Sequence, residues 1–547
     1  MPKRITWANL KKLGTLASEY RARELFWKVT EKLFSSYKPC AKEETEQSPA
    51  AADRSRPCRP PFAHEPMISI VVPTYETPEL FLRQMIDSVL DQTYENWELC
   101  IADGSKSGKV ERQIQQEYGD EKRIRYQRLE KNGGISENTN EGVKLAQGEY
   151  LALLDHDDLL APAALCEMVQ AINETGADFL YSDEDKVSAD RKVYGDSHWK
   201  TSYNAELLLG NNYICHFLVV KKDLFLRAGG LDSSYDGAQD FDLVLRLSEQ
   251  AGQICHVPKI LYHWRIHAGS TAGNTGSKRY AYDAGKHAIE AALARRGYKG
   301  CVTMETDPGF YHVDYAIPAG KRVCICLGDP GKQEKLGRKL ASELVAAGLC
   351  VVGSEQNPKN GNGLQPEDER RIQPETAEGA APEAIYEWDY LLLVGAGVRK
   401  IRPGSASLLL GSCGRADVGI AGGRTCGRRM GHLSRRVLQC GYFRGRSGLQ
   451  PRFRGLPAAY KGYFKRADLA MDVDGVSPDF AVIAAEAAEG IIPAKDDWAG
   501  FCRTVREKSL RIVTEPRALA DCGRIKRAGK TQGDCLACTD GTVAISK

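Results

Sequence analysis

The chain has 547 residues, which is too long for one hydrophobic core and predicts two to four domains. Its formal net charge is only +3, and its hydrophobic fraction of 42% and charged fraction of 27% are those of an ordinary globular protein. This balance argues against a dedicated nucleic-acid-binding protein, which normally has a strongly basic face. The sequence also lacks an apolar run of the roughly 18 to 20 residues that a membrane span needs.

The 17 cysteines are scattered without a framework, which favours reduced thiols in a cytoplasmic protein over a disulfide-built one. Cys535 and Cys538 form one C-x-x-C pair within the predicted C-terminal tail 521–547. A structural zinc ion would need a second pair, and only the unpaired Cys502 and Cys522 lie near in sequence. The pair alone therefore does not predict a zinc site.

The N-terminal 66 residues differ in composition from the rest. Residues 1–38 alternate basic and apolar positions, which predicts an amphipathic helical segment. Such a segment could lie on an anionic membrane surface or pack on the first domain, and the two interpretations have equal support. Residues 39–66 are rich in Pro, Ala, Glu and Arg, which indicates a flexible linker.

A globular pattern begins at Ile68, where apolar runs alternate with apolar residues at helical spacing. Thr77 and Pro78 are expected to be the N-cap and the first residue of the first helix. Strands are predicted over 68–72, 98–102, 124–129 and 150–154, and helices over 80–90 and 135–146. This alternation predicts an α/β fold with a doubly wound, mostly parallel sheet.

An acidic turn, Asp155-His156-Asp157-Asp158, follows the fourth strand directly. Because three carboxylates in four residues repel one another, the turn predicts a bound cation, and a divalent metal that carries phosphates is the natural candidate. Ligands of open α/β sheets sit beyond the carboxyl ends of the strands, where this turn lies. The alternative is an acidic turn that caps the next helix, with Pro162 in its first turn.

Six motifs occur in an order that resembles family 2 glycosyltransferases of the GT-A fold. They are VVPTYE at 71–76, Asp103 after the second strand, KNGGISENTN at 131–140, DHDD at 155–158, GAQDFD at 237–242 and YHWRIHAGST at 262–271. The resemblance covers about 67–301 and is greatest to the bacterial rhamnosyltransferase-like, polysaccharide-synthesis group. It implies inverting transfer of a sugar from a UDP- or dTDP-linked donor to a hydroxyl of a surface polysaccharide or lipid-linked glycan. It also implies a cytoplasmic location, possibly with peripheral membrane contact through 1–38.

The resemblance implies a role for individual residues. Donor binding is implied for Pro73, Tyr75, Glu76, Asp103, Lys131, Asn138, Asp155 and His156. Binding of Mg²⁺ or Mn²⁺ is implied for Asp155, Asp157 and His267. The catalytic base is Asp240, and the acceptor or sugar side is formed by Asp183, Trp199, Gln239 and Trp264.

For several of these residues a purely structural role is also possible. Asp240 opens a predicted helix, where a carboxylate is also favoured by the helix dipole. His267 could be an ordinary core histidine, and both tryptophans could be core residues and not sugar-stacking platforms. Asp183 is expected just after a strand at 178–182. Because Gln239 replaces the acid usual in the family's Glu-Asp pair, Asp240 is the only base candidate.

The second half contains a weak internal repeat. WDYLLLVGAGVRKIRP at 388–403 aligns with the acidic-turn segment at 148–162, and ADVGIAGGR at 416–424 aligns with ADFLYSDED at 177–185. At the positions that align with the acidic turn, the second segment has Gly395-Ala396-Gly397-Val398. This predicts a degenerate, non-catalytic GT-A-like domain over about 320–520, although two buried strands can also look alike by chance.

Two function classes follow. The first is the metal-dependent glycosyltransferase described above, with no nucleic-acid partner. The second is a non-catalytic scaffold that binds a nucleotide-sugar or a glycan, and the Gln239 departure and the degenerate second half favour it slightly. A sugar nucleotidyltransferase is disfavoured, because the glycine-rich triphosphate loop of that class is missing after the first strand.

Overall fold

The structure is a computed structural model. It describes residues 62–267, 279–352, 388–429, 435–445, 448–489 and 497–525. The predicted N-terminal segment, most of the linker, the end of the last motif and the C-x-x-C pair lie outside these residues, so the proposals about them stay predictions. Among the helices that are described, none combines the length and the apolar character that crossing a bilayer requires.

The described residues form two compact units that meet in sequence between Val313 and Asp314. The strands of the first unit are β1 Ile68–Thr74, β2 Trp97–Asp103, β3 Ile124–Arg128, β4 Tyr150–Leu153, β5 Leu159–Leu160, β6 Phe179–Ser188, β7 Tyr194–His198, β8 Leu218–Lys221, β9 Ile254–Ile266, β10 Gly300–Met304 and β11 Tyr311–Tyr315. The helices are α1 Glu79–Leu90, α2 Lys109–Tyr118, α3 Ile135–Leu145, α4 Ala164–Thr175, α5 Ala205–Gly210, α6 Lys222–Arg227, α7 Gln239–Gln250 and α8 Arg279–Arg295.

The main sheet has the strand order β3-β2-β1-β4-β8-β6-β9-β5, with β7 beside β6. Strands β1 to β4 are mutually parallel, as predicted, whereas β8 runs antiparallel to both of its neighbours, β4 and β6. The register pairs Leu153 at the end of β4 with Leu218 at the start of β8. The residues that precede β8 therefore lie at the same sheet edge as the acidic turn that follows β4.

Two local predictions need correction. Helix α1 begins at Glu79, and Pro78 is its N-cap with φ −58° and ψ 135°, one position later than expected. The Thr77 hydroxyl instead hydrogen-bonds the His156 ring, at 3.0 Å. Strand β6 runs to Ser188 and not to 182, because it pairs with β9 as far as Ser188 and Ile266. Asp183 therefore lies inside a strand and not after one.

The second unit contains a nine-stranded sheet and a short hairpin. Its strands are β12 Arg322–Leu327, β13 Cys350–Val352, β14 Tyr390–Val394, β15 Lys400–Ile401, β16 Val418–Arg429, β17 Arg436–Gln439, β18 Tyr442–Gly445, β19 Gly448–Pro451, β20 Met471–Asp472, β21 Phe480–Ala484 and β22 Arg511–Ile525. Its helices are α9 Pro330–Ala346, α10 Ser405–Cys413, α11 Ala485–Ala488 and α12 Trp498–Glu507.

The second sheet repeats the strand order of the first. Its order is β13-β12-β14-β21-β16-β22-β15, with β17 beside β16, which matches β2-β1-β4-β8-β6-β9-β5 with β7 beside β6. The parallel and antiparallel pairings also agree strand by strand. Strands β14 and β16 take the places of β4 and β6, as the aligned segments predicted. The repeat is therefore structural and not a chance likeness of two apolar strands.

In the turn after β14, position 395 has no room for a side chain, whereas at position 397 a Cβ would have no atom within 4 Å. The Gly395 N–H donates to the Asp479 carbonyl at 2.9 Å. A Cβ at position 395 would lie 2.3 Å from Asp479 Oδ1 and 2.9 Å from its Cα, which is closer than real Cβ contacts. Packing therefore excludes an acidic side chain at the position that corresponds to Asp155, but not at the one that corresponds to Asp157.

Tight packing at Gly148, just before β4, gives a stability prediction. An alanine Cβ there would lie 2.5 Å from the Met67 carbonyl oxygen and 2.8 Å from the Ser69 nitrogen. We expect Gly148→Ala to lower the free energy of unfolding by roughly 1–3 kcal/mol, because backbone must move to relieve the overlap. Gly195→Ala is the matched control, since no atom lies within 4 Å of its new methyl group. Equal urea midpoints for the two variants would contradict the prediction.

Candidate active site

The acidic turn meets the end of β9 at the edge of the sheet. Asp157 Oδ2 lies 2.7 Å from His267 Nε2, although the two residues are 110 positions apart. The His267 ring packs against Phe81, with 5.1 Å between ring centroids. Both side chains are partly exposed, and the Asp155 side chain, 42% exposed, is the most open of the turn.

This donor set fits a hard divalent cation. Carboxylate oxygens suit Mg²⁺ and Mn²⁺, and an imidazole nitrogen is a competent further ligand for Mn²⁺. Asp157 and His267 would be the first two ligands, because their donor atoms already lie within 2.7 Å of each other. Asp155, on the same turn, is the third residue that the resemblance implied.

Asp158 supports the turn and is not available as a ligand. It is 1% exposed, and its oxygens accept hydrogen bonds from the Tyr262 hydroxyl at 2.6 Å and from the Arg265 N–H at 2.7 Å. Burial, and then the charges of Asp157 and Asp155, raise the pKa of Asp158 well above its ordinary value. One of the three carboxylates therefore ties the turn to β9.

Asp103, the expected ligand of the nucleoside base, is fully buried at the end of β2. Its carboxylate accepts from Thr74 Oγ1 at 3.0 Å, from the Ser105 N–H at 2.9 Å and from the Tyr126 hydroxyl at 2.8 Å. A carboxylate has about four acceptor positions, so one remains for a further donor. The side chain is held rigidly before any ligand arrives.

Other residues that are expected to bind the sugar donor lie in the loop after β1. Glu76, at φ 48°, accepts from the N–H and the hydroxyl of Ser107 at 2.9 and 2.6 Å, and these bonds lower its pKa. Tyr75 is 43% exposed, and Pro73 is buried in β1. His156 bonds Thr77, as described above. Glu76 therefore fixes the loop, which leaves Tyr75 as the exposed aromatic surface.

The KNGG loop is held by Asn138 and not by Lys131. Asn138 Oδ1 accepts from the Gly133 N–H at 3.0 Å, and its amide donates to Asn132 Oδ1 at 2.8 Å. A Cβ on Gly104 would lie 2.6 Å from the Asn138 amide, so the two loops touch. Lys131 is exposed beside them. Asn138 thus has a structural role here, whereas Lys131 is free to reach a phosphate.

Sequence reasoning missed the segment that precedes β8. Asn212 Nδ2 donates to Asp240 Oδ2 at 2.8 Å, and the Cys215 thiol donates to the same oxygen at 3.5 Å. His216 Nε2 lies 3.7 Å from Asp155 Oδ2. This segment therefore links the base candidate to the acidic turn. Its only sequence signal is a polar stretch, NNYICH, directly before an apolar strand.

His216 is held on several sides. Its ring stacks on Tyr262 at a centroid distance of 4.6 Å and an angle of 9°, and its Nδ1 lies 3.4 Å from Glu184 Oε2. Burial works against protonation, but the Cys215 sulfur, Asp155 and Glu184 together raise the pKa of His216 well above its usual value. Burial likewise opposes ionisation of Asp155, yet His216 lowers the pKa of that carboxyl.

The carboxylates of β6 are occupied within the protein. Glu184 pairs with the buried Lys200 ammonium at 3.0 Å. Asp183 is 1% exposed, and its Oδ1 accepts from His256 at 2.8 Å and from the Lys200 N–H at 2.7 Å. The expectation that Asp183 lines the sugar side does not fit this placement, because its charge is satisfied inside the fold.

The remaining sugar-side candidates are Trp264, Trp199 and Gln239. Trp264 lies 5.6 Å from the His216 ring, and Trp199 is half-buried. Gln239 Oε1 accepts from the Gly237 N–H at 2.8 Å, so it shapes the start of α7. Its neighbour Asp240 is half-buried, and removal from water raises the pKa of its carboxyl above the ordinary aspartate value, although the charge of His216 partly opposes this.

With the geometry established, comparison with known proteins becomes informative. Residues 69–228 match the family model described as "Glycosyl transferase family 2". Over these residues the chain is similar to members of that family. Together with the strand order, the match identifies the first unit as a GT-A fold, as the ordered motifs predicted.

Two known proteins are similar to this chain over longer stretches. The protein y4gI of Sinorhizobium fredii is 40% identical over 266 residues, which are 48% of this chain and 29% of that protein. The O-antigen biosynthesis protein RfbC of Myxococcus xanthus is 33% identical over 287 residues, which are 52% of this chain and 22% of that protein. The chain thus spans less than a third of the length of either relative.

A solved structure of residues 1–349 of S. aureus TarS in complex with UDP-GlcNAc aligns with 42% of this chain and 66% of that chain. Its sequence identity is 19% and its TM-score is 0.36. This likeness is too weak to bear on the fold or on the ligand.

The support given by Asp158 leads to a second prediction. We expect Asp158→Ala to lower the free energy of unfolding by roughly 2–4 kcal/mol, because two buried donors, from Tyr262 and Arg265, lose their acceptor. Asp158→Asn keeps an acceptor oxygen and should cost less. Urea unfolding in the presence of EDTA makes the comparison independent of metal. Wild-type stability of Asp158→Ala would show that the turn is held in another way.

The raised pKa of Asp240 leads to a third prediction. A base must be ionised, so activity should fall as pH decreases through the pKa of Asp240, and this should occur above the ordinary aspartate value of about 3.9. The acid limb of kcat/KM against pH measures it. The residual activity of Asp240→Asn should lack that limb. An identical limb in both proteins would assign it to another group.

Proposed function

We propose that the chain is a metal-dependent, inverting glycosyltransferase. It transfers a sugar from a UDP- or dTDP-linked donor to a hydroxyl of a surface polysaccharide or lipid-linked glycan at the cytosolic face of the plasma membrane. The main supporting observation is that three side chains come together at one sheet edge: Asp157 in the turn after β4, His267 directly after β9, and Asp240 in the first turn of α7. The name of the relative RfbC, an O-antigen biosynthesis protein, supports a polysaccharide acceptor.

In this proposal, the part of the site that binds the sugar donor is formed by the loops after β1, β2 and β3. Asp103 has one acceptor position left for an N–H of the nucleoside base, but its side chain is fully buried, so this contact would require the loops after β1 and β2 to move when the donor binds. Tyr75 offers an exposed ring beside it, and Lys131 would contact the diphosphate. Asp157 and His267, with Asp155, would hold Mg²⁺ or Mn²⁺. The bound ion neutralises the charge that builds on the leaving diphosphate.

The acceptor end is built around Asp240. Asn212 and Cys215 both contact Oδ2, which leaves Oδ1 for the acceptor hydroxyl. Burial makes this carboxyl more basic than an ordinary aspartate, so it is better suited to accept the hydroxyl proton. The oxygen would then attack the anomeric carbon from the face opposite the diphosphate. One direct displacement of this kind inverts the anomeric centre.

The fourth prediction tests this function. The full chain is incubated with a panel of UDP- and dTDP-sugars and with Mn²⁺ or Mg²⁺, and the released nucleoside diphosphate is measured. We expect metal-dependent release with one donor, and no release from Asp157→Ala, because the carboxylate ligand is lost. Asp120→Ala, an exposed aspartate in the turn after α2, is the matched control and should match wild type.

The variant Asp240→Asn distinguishes a transferase from a non-catalytic scaffold. A transferase should lose turnover by roughly 10²-fold or more in this variant and keep its donor affinity, because only the base is removed. A scaffold should bind the nucleotide in a metal-dependent way without turnover in either protein, even when acceptor extracts are supplied. That result would overturn the catalytic proposal.

A further inference from the structure

The second unit contains a strongly basic segment. Residues 424–466 carry 12 Lys and Arg and no Asp or Glu, although the net charge of the whole chain is only +3. Part of this charge is used inside the unit, because the buried Arg424 lies 3.6 Å from Asp468. A charge imbalance of this kind between parts of a chain indicates an anionic partner for the cations that remain at the surface.

Three exposed cations lie around one carboxylate, that of Asp521 in β22. Lys400 of β15 is paired with Asp521 in the antiparallel register, and the Arg399 N–H donates to the Asp521 carbonyl at 2.7 Å. Arg435 Nη2 lies 2.5 Å from Asp521 Oδ2. All three basic side chains are exposed. One carboxylate therefore stands against three cations, and the local charge remains positive.

A fourth exposed cation, Arg428, lies beside Arg435. Strands β16 and β17 are antiparallel and pair Gly427 with Arg436, so the next positions along the two chain segments are Arg428 and Arg435. Like charges at opposite positions repel each other. An anion that binds near both guanidinium groups would remove this repulsion.

An exposed aromatic ring continues the same surface. The Ala458 N–H donates to the Arg435 carbonyl at 2.9 Å, and the exposed Lys461 follows three residues later. Phe464 is 37% exposed, and no other large hydrophobic side chain reaches this class of exposure in the described part of the chain after β13. Phe464 and Lys465 have φ values of 46° and 54°, which are unfavourable for both residues. A strained turn thus holds an aromatic ring in solvent among cations.

The matching edge of the first sheet is acidic. Its acidic turn aligns with 395–398, and Arg399 and Lys400 follow directly in the second unit. Strand β16 takes the place of β6, and Arg424 aligns with Asp185. A basic edge attracts an anion directly, with no bridging metal.

We propose that this surface binds the headgroups of an anionic phospholipid bilayer, so that the second unit attaches the chain to a membrane. We call it the basic surface, and it consists of Arg399, Lys400, Arg428, Arg435, Lys461 and Phe464. Its cations attract the headgroup phosphates, and the aromatic ring adds apolar contact at the boundary of the acyl chains. The choice of a lipid over another polyanion rests on the proposed function, which places the acceptor at a membrane.

The fifth prediction is that the full chain binds anionic vesicles. The chain is sedimented with vesicles of phosphatidylcholine, with or without phosphatidylglycerol, and the bound fraction is measured. We expect binding only when phosphatidylglycerol is present, and weaker binding as salt rises, because exposed charges are screened. No binding to the anionic vesicles would overturn the proposal.

A triple variant assigns the binding to the basic surface. It carries Arg399→Gln, Lys400→Gln and Arg428→Gln, and we expect its affinity for the anionic vesicles to fall by roughly 10-fold or more. The three side chains are exposed and form no ion pair with the residues that the structure describes, so their loss should not unfold the second unit. Equal urea midpoints for the variant and the wild type check that the fold is kept.

The matched control removes the same charge from the first unit. It carries Lys109→Gln, Lys122→Gln and Lys299→Gln, which are exposed positions outside the proposed active site, and it should bind as the wild type does. Equal binding by the two triple variants would overturn the proposal. Binding would then follow net charge or another segment, such as 1–38.

A second arm separates a lipid surface from a soluble polyanion. Phe464→Ala should weaken vesicle binding by roughly 3-fold or more, because the ring is lost from the headgroup region, and unchanged binding would overturn the part assigned to the ring. Binding of alginate by the wild type but not by the triple variant of the basic surface, without binding to vesicles, would assign the surface to an acidic glycan and overturn the lipid proposal. No sugar donor is present in these assays, so none of these results bears on turnover.

Discussion

The antiparallel pairing of β8 with β4 is the constraint on which the site depends. In a wholly parallel sheet, every strand would deliver only the residues that follow it to the ligand-binding edge. Because β8 runs the other way, the residues that precede it lie at that edge. The register pair Leu153–Leu218 determines how far along the sheet these residues lie. Consequently His216 lies beside Asp155 of the acidic turn, and Asn212 and Cys215 reach Asp240 on α7.

Charge is the second organising factor. The first unit buries several carboxylates that would be costly without partners, and almost every one is matched locally: Asp158 by Tyr262 and by backbone, Glu184 by Lys200, and Asp183 by His256. Asp155, Asp157 and Asp240, by contrast, are only partly buried. Internal partners thus distinguish Asp158, Glu184 and Asp183 from these three acids, to which the proposed function assigns chemistry.

The second unit shows the same scaffold without the chemistry. Its strand order and pairings repeat those of the first sheet, yet the turn after β14 is glycine-rich and packs against Asp479. Burial raises the pKa of Asp479, and the carbonyl of this residue accepts from the Gly395 N–H. Sheet topology persists because each strand contributes apolar pairs over its whole length, whereas a binding turn depends on a few side chains.

The sequence by itself determined the fold class, most strand positions of the parallel half and the internal repeat, and it predicted that Asp157 and His267 act together. These follow from apolar periodicity and from ordered motifs, which are properties of short segments. Only the tertiary structure decided that Asp158 and Asp183 are satisfied internally and that Asn212, Cys215 and His216 join the site. The physical reason is that partners far apart in sequence, brought together by an antiparallel strand and by β9, decide whether a carboxylate is buried and paired or open to a ligand.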